Sequence, residues 1–145
     1  MKTLIRAYRP GDFKSLQSLW EVTGMGQAER GDSDEVIQRC NALGGELLVL
    51  LNRDSDEIIG SSWMTWDGRR IFLHHFAILP AYQNQGFGTM LAKESMKRIR
   101  EKGVQVKLEV HKQNQAAKRL YKKFGFRSFK DYEILMIRDT NIASK

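Results

Sequence analysis

A chain of 145 residues, 41% apolar and 28% charged with two prolines, is long enough for one domain over residues 1–145 that buries roughly two-thirds of its unfolded surface, which excludes a disordered or low-complexity protein. Its one cysteine, Cys40, excludes an intrachain disulfide and a zinc site built on several thiolates, so no metal is expected. No apolar run nears the roughly 20 residues that span a bilayer and Met1 to Pro10 lacks a leader-like stretch, so the chain is expected to be cytoplasmic without a membrane partner.

Residues 3–8 alternate well enough for a first strand, which Pro10-Gly11-Asp12 stops before a helix with Phe13, Leu16, Leu19 and Trp20 at helical spacing. A polar stretch, Thr23 to Asp32, leads to Ser33 as N-cap of a second, short helix ended by Gly44-Gly45. Leu47–Leu51 and Ile58–Trp66 read as strands, and Asp67-Gly68 supplies the pair of residues a type I′ hairpin demands before a third antiparallel strand, Ile71–Leu79. After Pro80 the period changes to helical, with Gly88, Leu91, Ala92, Ser95 and Ile99 on one face and Glu94 and Arg98 as an i,i+4 pair, until Gly103. Val104–His111 is a strand, Asn114 opens a helix whose Ala117, Leu120, Tyr121 and Phe124 share a face, and Phe126–Arg138 supplies one or two final strands. The order predicts an α/β (α+β) sandwich of helices on a mixed sheet.

The net charge of +7 is concentrated in one block, since residues 86–130 carry 13 Lys and Arg against 3 Asp and Glu. Such a block attracts a polyanion, either nucleic acid or a phosphate-bearing cofactor. Within it, Gln83-Asn84-Gln85-Gly86-Phe87-Gly88-Thr89 lies between a strand and a helix, where unpaired backbone N–H groups and the helix dipole favour an anion. Glycines there allow close approach of a phosphate, though they also serve simply to turn a chain. A Walker A loop is excluded because no Gly-Lys-Ser/Thr follows. The dinucleotide fingerprint fails because Leu91 holds the third glycine position and 145 residues leave no room for a doubly wound sheet beside an antiparallel meander.

Ile78-Leu79-Pro80-Ala81-Tyr82-Gln83-Asn84-Gln85-Gly86-Phe87-Gly88 resembles the acetyl-CoA signature of the GNAT superfamily of N-acetyltransferases, Gln/Arg-x-x-Gly-x-Gly/Ala. Leu108-Glu109-Val110, Asn114-Gln115-Ala116-Ala117, Leu120-Tyr121 and Phe124-Gly125-Phe126 are similar to its second conserved segment. The resemblance implies a twisted, mostly antiparallel sheet of six to seven strands flanked by about four helices. It also implies acetyl-CoA as cosubstrate, with N–H groups of Gln85, Gly86, Phe87, Gly88 and Thr89 on the pyrophosphate, Gln83 bracing the turn, the main chain of Phe76 and Ile78 along the acetyl and pantetheine groups, and Asn114 in contact. Coenzyme A then accounts for the basic block without nucleic acid, while Lys93, Lys97, Lys118 and Lys122 form a solvated helix face.

Acyl transfer from a thioester to an amine requires a neutral amine, a stabilised oxyanion and a proton for the departing thiolate. Tyr121 is the candidate acid, although Ala117, Leu120 and Phe124 on its face also suit a core tyrosine. Glu109 is one candidate base, on the polar face of its strand, with an ion pair to a neighbouring Lys or Arg as its structural alternative. His74 is the other, expected in phase with Phe76 and Ile78, while His75 should point to the opposite face and, like His111, is read as structural or exposed. The amine acceptor is expected over residues 20–45 and near Trp63 and Trp66, where Glu21, Glu29, Asp32, Asp34 and Glu35 attract a cation. Two other functions fit the composition: a noncatalytic acetyl-CoA-binding regulator and a basic nucleic-acid-binding module. Exposed final strands could pair two chains as a homodimer.

Overall fold

Five apolar residues in a row, Leu47–Leu51, leave neither side of a strand suited to water. In the computed structural model, which describes residues 1–142, this strand is β2 (Glu46–Asn52), second in a sheet ordered β1-β2-β3-β4-β5. The other strands are β1 (Thr3–Ala7), β3 (Glu57–Trp66), β4 (Arg70–Ile78) and β5 (Gln105–Leu108). Neighbours from β1 to β4 pair antiparallel, and β4 pairs with β5 in parallel.

Helices cover both faces. Leu47, Val49 and Leu51 pack with Leu16, Leu19 and Trp20 of α1 (Phe13–Val22) and Ile37 of α2 (Asp34–Ala42). Leu48 and Leu50 pack with Leu91 and Ile99 of α3 (Phe87–Lys102) on the other side. Each such leucine contributes about 1.5–3 kcal/mol of burial free energy. The caps follow the sequence: Ser33 accepts the Val36 N–H at the start of α2, Gly103 ends α3 with a left-handed φ of 68°, and Asn114 accepts the Ala117 N–H ahead of α4 (Gln115–Lys123). Arg98 meets Glu94 as expected, at 3.1 Å, and also reaches Glu46 at 2.5 Å.

Three expectations change. The sheet has five strands among the described residues, because Phe126–Arg138 forms none. The apolar side chains of this segment from Phe129 to Ile137 lie open to solvent, Leu135 at 88%, and apolar content makes no strand without a ladder partner. The β3–β4 loop is not type I′: only Gly68 has a positive φ, while Asp67 Oδ1 accepts the N–H groups of Arg69 and Arg70, both at 2.7 Å. Finally, β5 stops at Leu108, short of His111.

Candidate active site

The parallel pairing of β4 with β5 runs from Arg70 opposite Gln105 to Leu73 opposite Leu108 and then ends, while β4 continues to Ile78. Half of an inner strand therefore has an open edge. Leu79 directs its N–H to Ile59 of β3, and backbone directions alternate along a strand, so Phe76 and Ile78 direct theirs away from β3 into this notch. The Ile78 carbonyl there accepts Gln83 Nε2 at 2.9 Å, which fastens the turn to the strand and leaves the Ile78 N–H as the free group.

The turn that follows ends on Gly86, the N-cap of α3, with φ of 87°. Asn84 also takes a positive φ, and Gln85 Nε2 donates to the Ala81 carbonyl at 3.0 Å. The first amide bonded back along the helix is that of Met90, to Gly86, so the N–H groups of Phe87, Gly88 and Thr89 have no intrahelical acceptor. A Cβ on Gly86 would meet nothing within 4 Å, which marks open space in front of these donors. One on Gly88 would lie 3.6 Å from Leu120 of α4 and 3.9 Å from Ile78. The helix start, the open edge and α4 thus converge.

Tyr121 of α4 reaches the same place, its ring 5.9 Å from Phe76 and 5.6 Å from Phe126. It is 9% exposed and its hydroxyl has no hydrogen bond among the described residues. Burial pushes its pKa up to about 12, so it holds its proton across neutral pH. Asn114 spends its Oδ1 on the α4 cap and keeps its Nδ2 as a donor. Glu109 is exposed just beyond the end of β5 and makes no ion pair among the described residues.

The histidines depart from the sequence reading. Pairing with β3 slips between Ser61, opposite Ala77, and Trp63, opposite His74, so β4 carries one extra residue there. His75 takes a φ of 43°, and this bulge breaks the alternation. As a result His74 is out of phase with Phe76 and Ile78, which pack on the α3 side, while His74 lies against Phe72 and Trp63. His74 Nε2 is 2.9 Å from Thr65 Oγ1, and burial, with the neighbouring His75 adding to it, lowers its pKa to about 4. His75 lies on the face opposite Phe76 and Ile78, as expected, and shares it with His74: its ring is T-shaped to Trp20 at 4.5 Å and its Nε2 lies 2.6 Å from Asp32 Oδ2. No sequence signal marks this pair, because its members are 43 residues apart and the bulge that aims His75 depends on β3.

On the side where the sequence places the acceptor, Trp63 does lie beside the histidines, but Trp66 does not. It packs near Gly44 under Lys102, whose Nζ is 4.9 Å from the ring, at the C-terminal end of α3. A cavity of about 340 Å³ lined by Gly44, Trp66, Arg98 and Lys102 lies there, at the far end of α3 from Gly86. Asp34 is engaged by the Tyr8 hydroxyl and by Gln38, which removes it from the free anionic groups. Lys93, Lys97, Lys118 and Lys122 are exposed, as a solvated face requires.

The family model described as acetyltransferase (GNAT) family matches residues 13–126. Over 87 residues the chain is 38% identical to the [ribosomal protein bS18]-alanine N-acetyltransferase of Haemophilus influenzae, covering 59% of each chain. Over 73 residues it is 34% identical to the thialysine N-epsilon-acetyltransferase of Bos taurus, covering 50% of this chain and 43% of that one. The chain therefore spans about half the length of these two curated relatives. Among solved structures, the PaiA N-acetyltransferase of Thermoplasma acidophilum in complex with coenzyme A superposes with a TM-score of 0.71 at 22% identity, covering 88% of this chain and 91% of that one. The ribosomal-protein-S18-alanine N-acetyltransferase of Escherichia coli does so with a TM-score of 0.73 at 20% identity, covering 87% and 78%. At these identities the superpositions bear on the fold.

Proposed function

The chain belongs to the GNAT acetyltransferase family, and we propose that it moves an acetyl group from acetyl-CoA to a primary amine by direct attack. The observation that carries this reading is the convergence of three free groups at one notch: the open main-chain edge of Phe76 and Ile78, the unbonded N–H groups at the start of α3, and the Tyr121 hydroxyl.

Each group has a part in the chemistry. The amides of Gly86, Phe87, Gly88 and Thr89 take the pyrophosphate, with the helix dipole favouring its charge. The open edge of β4 hydrogen-bonds the extended arm as a neighbouring strand would, and Asn114 Nδ2 adds a side-chain donor. The amine nitrogen attacks the thioester carbon, the new C–N bond forms, and the C–S bond breaks. The sulfur takes the proton of Tyr121, which its burial keeps in place until needed. Glu109, exposed at the edge of the notch, is placed to pass a proton to water, whereas His74, with its low proton affinity and its contact to Thr65, is a weaker base than its sequence position suggests.

The lone cysteine leaves no disulfide to need an oxidising compartment, in keeping with a cytoplasmic enzyme. The test is release of thiol from acetyl-CoA across a panel of amines: peptides with a free N-terminal alanine, thialysine, lysine, polyamines and aminoglycosides. Amine-dependent thiol release with matching acetylated product is expected. Coenzyme binding without turnover on every amine would turn the reading toward a noncatalytic regulator.

A further inference from the structure

We propose that His75, held by Asp32, accepts the proton of the incoming ammonium group, a role that rests on the acetyl-transfer reading. The backbone comes first. His75 has a φ of 43°, a conformation that few non-glycine residues adopt and that persists only when the surroundings enforce it. They do so here, because Ser61 Oγ donates to the His75 carbonyl at 2.6 Å and accepts Trp20 Nε1 at 2.9 Å, so a buried chain of hydrogen bonds pins the bulge.

The bulge aims the side chain. Its Nε2 lies 2.6 Å from Asp32 Oδ2, and its ring stands perpendicular to those of Trp20 and Trp63, which are stacked with centroids 6.0 Å apart. With Nε2–H donating to the carboxylate, the lone pair resides on Nδ1, which has no protein partner among the described residues. Trp63 Nε1 is buried in the same wall without a partner among the described residues. The titratable groups that face His75 are Asp32, from the loop before α2, and His74, on its own strand; α1 and β3 present Trp20, Ser61 and Trp63.

The placement suits the reaction. His75 lies on the α1 face of β4, and the next residue, Phe76, touches Tyr121 on the other face. The acceptor and the leaving thiolate thus meet different groups on opposite sides of one strand. The protons balance: R–NH3⁺ gives one to Nδ1, leaving R–NH2 and an imidazolium paired with Asp32. After attack the nitrogen gives a second to the Tyr121 phenolate, which has protonated the thiolate, and the imidazolium releases its proton to water. One proton is released per acetyl group transferred.

The experiment follows kcat/KM of the full chain, His75→Gln and Asp32→Asn from pH 6 to pH 10, with acetyl-CoA and two probes: a peptide with a free N-terminal alanine and one with a lysine side chain. Calorimetric affinity for acetyl-CoA and melting temperature are measured alongside. At pH 7 His75→Gln should lose about 10³-fold with the lysine probe and about tenfold with the N-terminal alanine probe, the factors by which each ammonium outnumbers its neutral amine there, through kcat and with coenzyme affinity retained. The loss should shrink by about tenfold per pH unit as each amine nears its own pKa, about 8 for the α-amine and about 10.4 for lysine, because solution then does the work of the base. Asp32→Asn should show a smaller loss of the same form, and it decides the matter where His75→Gln melts early. A loss of equal size at every pH, or none, overturns the role of His75. Thiol release by the wild type with neither probe nor any amine of the panel overturns the acetyl-transfer reading itself, and this inference with it.

Discussion

Replacing Tyr121 by Phe separates catalysis from folding. The ring keeps its contacts with Phe76 and Phe126, and the lost hydroxyl has no hydrogen bond among the described residues, so the fold gives up none. Removing that hydroxyl deletes no protein hydrogen bond, so the melting temperature should stay within about 3 °C of wild type, roughly what 1 kcal/mol is worth in a domain of this size. The reaction, by contrast, loses its proton donor, worth about 10²–10⁴-fold in rate or about 3–5 kcal/mol of barrier. pH gives a second signature. The folded pKa is raised, to about 12 from 10.0, so the stability it represents is complete below pH 10 and is lost as pH rises toward 12, a limb absent from the variant. Thiol release at saturating acetyl-CoA and scanning calorimetry at pH 7 and pH 11 measure both. Turnover within about threefold of wild type would refute the assignment of the acid, and a melting temperature several degrees lower would refute the unbonded hydroxyl.

His74 has its folded pKa depressed from 6.5 to about 4, so its contribution is whole above pH 6.5 and disappears as pH falls toward 4, a loss of about 3 kcal/mol; His74→Gln should flatten that acid limb in urea titrations, and an unchanged limb contradicts the burial argument. Gly86→Asp should weaken coenzyme binding at least about tenfold by placing a carboxylate against the pyrophosphate, yet cost only about 1 kcal/mol of stability because Asp tolerates a positive φ; equal affinity by calorimetry would remove the anion cradle. Ser61→Ala should leave Trp20 Nε1 without an acceptor and lower the melting temperature by about 3–10 °C, seen by tryptophan fluorescence, and no change would mean the chain from Trp20 to the His75 carbonyl is unimportant.

Local patterns carried much of this protein into view. The helical spacing of Phe13, Leu16, Leu19 and Trp20 marks α1, the unbroken Leu47–Leu51 marks a strand covered on both sides, and Gly86 and Gly103 bracket α3. The glycine turn was legible because its chemistry is contained in a few consecutive residues. What escaped depends on partners far along the chain. The bulge at His75 arises from a mismatch with Ser61–Trp63, so strict alternation put His74 on the wrong face. The pairing of His75 with Asp32 follows from that bulge. The stretch from Phe126 to Arg138 has the composition of strands, but only a neighbouring ladder turns composition into one; Arg138 instead reaches the Glu29 carbonyl.

Sheets ordinarily leave rungs unoccupied along their outermost strands, where twist and charge discourage strangers. Here β4 and β5 part after four residues, so the vacancy opens within the sheet, flanked by helices and continuous with its hydrophobic layers. On the proposed reading a ligand that lies along it binds the folded chain alone, and occupancy at a hundred times the dissociation constant would add about 2.7 kcal/mol to the folded state. With acetyl-CoA as that ligand, the heat tolerance of this chain would gauge how much acyl donor surrounds it.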